Sequence, residues 1–407
     1  MEEILNVNKR VSFEERITDF EYHTHQPYNQ SLENSDEIII AVQQQDIYTV
    51  PSKSFLYIQG QLVQEGKATI DPSVLRFVRN GFLFLFDEIK YQLNGVLIDH
   101  VRNPGTVSTL KGYASLSPDK ALGLEMSGWM MPEEYVKLAD EKGNFDACIP
   151  LDIIMGFFED YNQIILQGKH ELILHRSRTD SDCIQVVGEH ADVKASIKLK
   201  SVQWKMPYVK VSDEQRLKFL NFVNKGKTVH MAFRSWDLIE YPSLPATKKH
   251  TWAVKTTTNL EKPRYVIIAF QTNKKNNLKA DMSEFHHCNI SNVKLHLNSE
   301  VYPYDDLNID FSKNHFSMLY YMYQNFQHSY YGKENEPILS KEQFRDEGPI
   351  IVIDCSRQIE AVKASSVDIR IELEAAENFK AGTTAYALIF HDALVEYNPF
   401  TGLVRRI

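Results

Sequence analysis

Short apolar runs separated by turn residues recur along most of the chain, and residues 38–60 open this pattern. Ile38-Ile39-Ile40-Ala41-Val42 forms one run, and residues 54–59 alternate between the two faces of a second. A period of two, with many β-branched and aromatic residues, is typical of strands. Pro51 cannot donate a hydrogen bond to a neighbouring strand, so we expect the break between the two strands there.

Further apolar runs predict strands on both sides of the middle of the chain. They lie at 59–63, 81–93, 120–127, 163–175, 183–187 and 193–204, and again at 228–233, 251–256, 264–272, 293–297, 350–354, 367–373 and 384–391. Asn94-Gly95, between two such runs, predicts a tight hairpin because both residues tolerate a positive φ. Short strands at regular intervals are typical of β-sandwiches and barrels, so the pattern predicts an all-β fold.

Two stretches predict helices among these strands. Ser212 followed by Gln215 has the spacing of a capping box, and Gly226 can end a helix, which we expect to connect the two groups of strands. Residues 312–331 hold aromatic residues at helical spacing, so we expect a helix inserted into the second group. Tyr330-Tyr331-Gly332 would end that helix.

Three other stretches separate strands of the first group. Asn103-Pro104-Gly105 predicts a loop, and residues 126–143, with two glycines, a proline and several charges, predict an insertion. Residues 151–158 fit either a short helix or a buried strand, and periodicity does not decide between them.

Length and order together support a resemblance to a known family. A chain of 407 residues is too long for one ordinary core and suits two domains. Residues 38–60, 80–96, 263–271 and 386–392 occur in an order similar to that of the double jelly-roll capsid-like proteins of Polinton-type elements, adintoviruses and related insect-genome sequences. The similarity extends over residues 35–400. It implies two tandem jelly-roll β-sandwich barrels with a linking helix: an N-terminal arm (1–34), a first jelly roll (35–207), the linking helix (208–226) and a second jelly roll (227–407).

The resemblance also implies a function. It implies a major capsid protein that forms a homotrimeric, pseudo-hexagonal capsomer and then an icosahedral shell, with penton or minor capsid proteins as further partners. It implies a virion location, and no catalytic, cofactor-binding or metal-binding residues. Asn94-Gly95 would be a tower or rim turn and residues 312–331 a trimer contact. A carbohydrate-binding or adhesive β-sandwich protein is the alternative, and a jelly-roll enzyme using paired carboxylates comes third.

Charge and terminal sequence limit the classes of partner. The net charge is −9, and the first 40 residues hold nine acidic and three basic side chains, so we expect no strong direct nucleic-acid binding. No signal-like apolar region and no run long enough to span a bilayer occurs, which favours a chain made as a soluble intracellular protein. Since like-charged capsomers repel one another, we expect salt to favour assembly, with the arm 1–34 bridging neighbours.

His286-His287-Cys288 is the strongest candidate for a metal site, because imidazole and thiolate ligands suit zinc. Neighbouring side chains on a strand point to opposite faces, so only a loop would let these three converge. His23 and His25 would share a face of an extended chain, but they lie in a polar stretch and fit a solvated pair. The cysteines at 148, 183, 288 and 355 have no metal-ligand spacing and fit isolated thiols.

Carboxylates and aromatic residues supply the other candidates. Asp305 and Asp306 with Asp310, and the pair Asp87-Glu88, could serve glycoside hydrolysis, although turn chemistry beside Pro303 explains the first group as well. Phosphate-loop, dinucleotide-binding, zincin and nucleophile-elbow motifs are absent from the sequence. The aromatic residues of 320–331 fit core packing or a subunit interface, and the four tryptophans, at 129, 204, 236 and 252, fit core or interface anchors.

Overall fold

A computed structural model describes residues 16–43, 48–129, 138–188, 193–254, 263–357 and 367–407. Its strands are β1 (Ile17–His25), β2 (Glu37–Val42), β3 (Tyr48–Thr49), β4 (Phe55–Gln64), β5 (Leu75–Phe77), β6 (Phe86–Leu93), β7 (Val96–Arg102), β8 (Asn144–Pro150), β9 (His170–Arg176), β10 (Ile184–Val186), β11 (Ala195–Val211), β12 (Val229–Tyr241), β13 (Lys249–Val254), β14 (Pro263–Thr272), β15 (Ile290–Leu297), β16 (Glu300–Tyr302), β17 (Ile351–Asp354), β18 (Ile369–Ala375), β19 (Thr383–Asn398) and β20 (Leu403–Arg406).

Within these described ranges, six α-helices lie between the strands, together with short 3₁₀ turns. The helices are α1 (Pro104–Ser115), α2 (Pro118–Gly123), α3 (Gly156–Asp160), α4 (Asp213–Asn224), α5 (Ser317–Tyr331) and α6 (Lys341–Asp346). The 3₁₀ turns cover Pro51–Lys53, Gly81–Leu85, Glu125–Ser127, Leu151–Ile153 and Phe311–Lys313.

The strands before α4 form a sandwich of two antiparallel sheets. One sheet has the order β1-β11-β4-β8 and the other β2-β9-β6-β7. Trp204 of the first sheet contacts Tyr91 and His170 of the second, with ring centroids 6.4 Å apart in both cases. His170 is fully buried and hydrogen-bonds the hydroxyls of Tyr91 and Thr49, each at 2.9 Å, so its polar atoms are satisfied inside the core.

The strands after α4 repeat this arrangement. The sheets have the orders β12-β19-β14-β17 and β13-β18-β15-β16. If the eight sheet strands of each half are counted in chain order, both halves read 1-8-3-6 and 2-7-4-5. Two sheets of four antiparallel strands in this order form a jelly roll, so the predicted double jelly roll is confirmed.

A helix follows the fifth sheet strand in each jelly roll. In the first it is α1, after β7, and in the second it is α5, after β16. Eleven of the twelve residues of α1 are buried. The glycines of α1 permit this burial, because a Cβ on Gly105 would lie 2.4 Å from the Phe84 ring and one on Gly112 would lie 2.2 Å from the Trp129 ring.

Several local predictions agree with the structure. Strands flank the break at Pro51, which begins a 3₁₀ turn, and the hairpin at Asn94-Gly95 has φ of +51° and +79° at these residues. The helix within 312–331 forms as α5 and ends at Gly332 with φ of +66°. Residues 151–158, left open between helix and strand, form a 3₁₀ turn and the start of α3.

Other local predictions are wrong. The loop at Asn103-Pro104-Gly105 is the start of α1, with proline at the first helical position, where its missing N–H costs nothing. Residues 120–127, predicted as a strand, belong to α2 and a 3₁₀ turn, and 81–85 form a 3₁₀ turn before β6. Ser212 precedes α4, but its side chain makes no capping hydrogen bond, and residues 208–211 continue β11.

Several strands were not predicted, including two that belong to the first jelly roll's larger sheet. Part of the range assigned to an arm, 17–25, forms β1 and pairs with β11, and residues 144–150 form β8. Residues 1–15 of the arm, 130–137 of the predicted insertion and 255–256 of a predicted strand lie outside the described residues.

Candidate functional site

The residues His286-His287-Cys288 form a turn before β15, beside a cleft of about 340 Å³ that Thr272 and Lys380 also line. His286 Nδ1 accepts a hydrogen bond from the Thr272 backbone N–H at 3.1 Å, and His287 Nδ1 accepts one from Asn289 at 3.0 Å. Burial lowers the pKa of His286 to about 4 and raises the pKa of Cys288 to about 11. Within the described part of the chain, no group of three or more His, Cys, Asp or Glu residues could hold a metal ion.

The candidate carboxylates are held by separate partners. Asp306 accepts a hydrogen bond from Asn292 at 3.0 Å and pairs with Lys294 at 3.1 Å. Asp310 accepts the backbone N–H groups of Ser312 and Lys313, so it caps the 3₁₀ turn that follows. Glu88 pairs with Lys90 at 2.7 Å on the outer face of its sheet. Glu88, Asp306 and Asp310 therefore each have a partner of their own in the local structure.

The histidines of β1 and the aromatic residues of α5 contribute mainly to packing. His25 Nε2 lies 3.0 Å from the Tyr208 hydroxyl. In α5, Tyr323, Phe326 and Tyr330 are buried, whereas Tyr321 is exposed. All four tryptophans are buried. Core packing thus accounts for about half of the aromatic stretch, and the outward residues remain available for other contacts.

A group of polar contacts lies at the junction between the two jelly rolls, where β12 meets α3. Arg234 of β12 makes a bidentate ion pair with Asp160 of α3, with Nη2–Oδ1 at 2.6 Å and Nε–Oδ2 at 2.8 Å. Its guanidinium carbon lies 3.6 Å from the Tyr330 ring centroid, and Nη1 donates to the Tyr330 carbonyl. The hydrogen bonds and charge of Asp160 outweigh the opposing effect of burial, so the pKa of Arg234 is raised. One cation therefore joins α3, β12 and α5.

Two further cations lie at the same junction, and the ion pair of one of them, Arg79, crosses it. Lys111 of α1 pairs with Glu159, which also accepts a hydrogen bond from the Tyr331 hydroxyl at 2.6 Å. Arg79 donates to Tyr113 at 2.9 Å and pairs with Glu347 of the second jelly roll at 3.0 Å. A buried charge is costly unless it is paired, so these pairs fix which parts of the jelly rolls face each other.

Backbone contact at the junction is also close. A Cβ on Gly156 would lie only 1.6 Å from the Arg234 carbonyl oxygen, so a side chain at 156 would push α3 away from β12. Trp236 Nε1 donates to the Ile154 carbonyl at 3.0 Å in the same region. Glycine is therefore required at 156 by the approach of the two jelly rolls.

Asp99 of β7 is a buried carboxyl group at the centre of the junction. It accepts hydrogen bonds from the Ser235 hydroxyl at 2.8 Å, the Phe157 N–H at 3.0 Å and the His100 N–H at 3.0 Å. Burial outweighs these bonds and raises the pKa of Asp99 from 3.8 to about 6. We therefore expect the Asp99 carboxyl group to ionise at a higher pH than an exposed aspartate does.

Two surfaces outside the junction expose aromatic and apolar side chains. The first surface, here called the open face, is the outer side of sheet β1-β11-β4-β8 and carries Phe20, Tyr22, Phe55 and Tyr57. The Tyr22 ring centroid lies 5.7 Å from that of Phe20 and 5.4 Å from that of Phe55. The second surface, here called the open edge, follows β16 and includes Tyr304, Met318 and Tyr321, of which Tyr304 is 90% exposed.

Comparison with known proteins decides the family. The model of the double jelly roll-like domain family matches residues 75–395, which is most of the chain. The chain belongs to this family. No curated protein matches it. The double jelly-roll protein described here also contains, among its described residues, no helix that is both long and apolar enough to cross a membrane.

Solved structures with the same fold come from several viruses. The mavirus major capsid protein is similar with a TM-score of 0.62 and 11% identity, over 99% of this chain and 92% of that one. A chain of the Sputnik virophage structure has a TM-score of 0.63 and 8% identity, over 100% of this chain and 92% of that one. A chain of the PBCV-1 virus capsid has a TM-score of 0.59 and 10% identity, over 97% of this chain and 98% of that one. At these identities the similarity concerns the fold.

The residues that join the two jelly rolls were not found from the sequence. Arg234, Asp160 and Asp99 lie in different elements, and no spacing in the sequence relates them. The available signal was Gly156 within the apolar residues of 151–158, because a glycine there indicates close backbone approach. In this double jelly-roll protein the cluster at 286–288, the strongest candidate from the sequence, is instead a turn at the edge of one jelly roll.

Replacing Asp160 with alanine should destabilise the junction, because Arg234 would remain partly buried without its counter-charge. We expect the free energy of unfolding to fall by roughly 3 kcal/mol. Asp392→Ala, which removes the exposed partner of Arg264, is the matched control and should cost about 1 kcal/mol or less. Denaturant titration of both variants measures the difference. Equal losses would contradict a special role for the junction pair.

The buried carboxyl group of Asp99 should make stability depend on pH. Because its folded pKa is above its unfolded pKa, its contribution is full below pH 3.8 and is lost as the pH rises through about 6. The unfolding free energy of the unchanged protein, relative to Asp99→Asn, should therefore fall by roughly 3 kcal/mol across this range. Asp237 and Arg406 interact electrostatically with Asp99, and His391 interacts with both of them. The comparison therefore uses the difference between the pH profiles of the unchanged protein and the variant. Parallel profiles would refute the assignment.

Proposed function

We propose that this protein is a major capsid protein of a virus or virus-derived element. It forms homotrimeric, pseudo-hexagonal capsomers that tile an icosahedral shell. The observation that carries the proposal is the pairing of two jelly rolls of identical strand order through a contact that uses different surfaces on each. If each jelly roll has both surfaces, such a contact leaves one surface uncovered on the first jelly roll and the other surface uncovered on the second.

The surfaces used within the chain identify those left unused. In the second jelly roll, the sheet containing β12 and β19 has aromatic residues on its outer side, including Trp236 and Phe390. Lys111 of α1 lies 4.7 Å from the Trp236 ring centroid, and α5 covers Phe390. The matching sheet of the first jelly roll is the one that bears the open face, where Phe20 and Tyr22 are 40% and 49% exposed.

The open edge matches the first jelly roll's side of the junction. The junction uses β7 and the residues that follow it, including α1, whereas the open edge follows β16 and includes part of α5. β7 and β16 are each the fifth sheet strand of their jelly roll, and α1 and α5 are the helices that follow them. We infer that the open edge of one chain covers the open face of the next, as β7 and α1 do within a chain.

Repeating this contact around an axis forms a closed ring. Three chains supply six jelly rolls, and closure leaves no unused copy of either surface within the capsomer. The aromatic composition of the open face fits a subunit contact better than a solvated sheet. The domain division at 208–226, penton or minor capsid partners and an origin in a Polinton-like or adintovirus-like element belong to the same proposal.

Trimer formation is the first test. Purified protein should have the mass of three chains in size-exclusion chromatography with light scattering. Tyr22→Arg places a charge on the open face and should shift the protein towards monomer, whereas Phe400→Arg, at an equally exposed site elsewhere, should remain trimeric. A monomer at micromolar concentration would refute the capsomer and would favour the adhesive or carbohydrate-binding alternative.

Shell assembly should not require nucleic acid. With a net charge of −9, capsomers repel one another, and salt shortens the range of that repulsion to roughly 8 Å at physiological strength. We expect higher salt to promote particle formation, as seen by electron microscopy and light scattering. Deletion of residues 1–15, which leaves β1 in place, should preserve trimers and impair shells. Particles that form only with added DNA or RNA and dissolve in salt would contradict this expectation.

A further inference from the structure

One end of the molecule, here called the base, brings together α4, the β6–β7 turn and the β19–β20 turn. Asn94 Nδ2 in the first turn donates to the Gly402 carbonyl in the second at 2.8 Å. Asn398 Nδ2, at the end of β19, donates to the Gly226 carbonyl after α4 at 3.1 Å. These bonds tie the end of the connecting helix to the end of the last long strand.

The base exposes several large apolar side chains. Leu217 and Leu220 lie three residues apart on α4 and are 61% and 41% exposed. Phe400 and Leu403, in and after the β19–β20 turn, are 62% and 58% exposed. Val223 is the only fully buried residue of α4, so this helix presents most of its surface outward. Asn398, two residues before Phe400, is hydrogen-bonded to the residue that ends the α4 segment, so both pairs of exposed apolar side chains lie at the same end of the molecule. Neighbouring exposed apolar side chains mark a contact surface.

Cations accompany these apolar residues. Lys225, Lys227 and Arg405 are exposed, and none forms a salt bridge with any residue in the described ranges. Among the nearby carboxylates, Glu214 pairs with Lys218 at 2.6 Å, and Glu396, which lies opposite Arg405 in the β19–β20 pairing, is 3.7 Å from His230. The base is thus locally basic on a chain whose net charge is −9.

We propose that the base binds the surface of an anionic lipid bilayer. Leucine and phenylalanine side chains would enter the headgroup region, while lysine and arginine would lie against the lipid phosphates. This inference does not depend on the capsid proposal, because it concerns a surface outside both the open face and the open edge.

The side-chain chemistry favours a bilayer over other partners. Nucleic acid would pair with the cations of this surface, but its phosphates offer no apolar contact to the leucine side chains. Among the apolar residues named here, Phe400 alone has a ring that could stack on a nucleobase. A second copy meeting base to base would bring Lys225 and Lys227 of both chains together, which like charges oppose. A bilayer with anionic headgroups uses the apolar and the basic residues together.

Vesicle flotation of the full chain tests the proposal. The protein should float with phosphatidylcholine vesicles that contain phosphatidylserine and not with phosphatidylcholine alone, and salt should weaken binding. Lys225→Gln with Lys227→Gln should weaken binding about 25-fold, since each cation near an anionic surface contributes about 5-fold. Leu217→Ser with Leu220→Ser should also weaken it. Thermal unfolding checks that each variant folds.

Matched controls separate the base from the rest of the surface. Lys248→Gln with Lys279→Gln removes two exposed cations elsewhere, and Leu122→Ser removes an exposed leucine elsewhere, so both should float like the unchanged protein. Absence of flotation, equal binding to neutral vesicles, equal losses in the controls, or binding to duplex DNA but not to vesicles would each overturn the proposal. Trimer formation is measured separately and can succeed or fail independently.

Discussion

The paired charges buried between the jelly rolls are the constraint on which the arrangement of the whole molecule depends. Arg234, Lys111 and Arg79 each pair with a carboxylate that lies outside the cation's own element. The first and third pairs cross from one jelly roll to the other. An apolar interface tolerates sliding, because burial depends on area and not on direction. Charged pairs do not, since a shift that separates them leaves an uncompensated charge away from water. They therefore select one relative position of the two sandwiches.

Small residues make that position accessible. Gly156 lets α3 approach the backbone of β12, and Gly105 and Gly112 let α1 lie against aromatic rings. Without these close approaches, the side chains of Asp160 and Lys111 would not reach their partners at hydrogen-bonding distance. The glycines and the charges thus act together: the former permit the contact and the latter define it. Asp99 adds a proton-dependent element to the same contact, because its carboxyl group is buried between β7 and β12.

The sequence predicted the features that depend on local pattern. Alternating apolar residues gave most strands, Asn94-Gly95 gave a hairpin and Gly332 gave the end of α5. It failed at α1 because a helix buried on all sides shows no separation of apolar and polar faces, and its Asn-Pro-Gly start resembles a turn. It missed β1 because that strand lies at a sheet edge with both faces largely exposed and shows no clear alternation. The junction could not be predicted, since its residues are brought together only by the fold.

Two jelly rolls with one strand order would suffice to build a symmetric pair, but this chain does not build one. The contact uses the fifth strand and following helix of the first jelly roll against the first and eighth strands of the second. Each jelly roll has an edge formed by its fifth strand and following helix, and a sheet that contains its first and eighth strands. The contact within the chain covers the edge of the first jelly roll and the sheet of the second, so the other edge and the other sheet stay uncovered. The aromatic residues of the open face are therefore explained by the same rule that explains the internal junction. In the proposed capsomer, association between chains would continue the folding within the chain, through equivalent positions and different side chains.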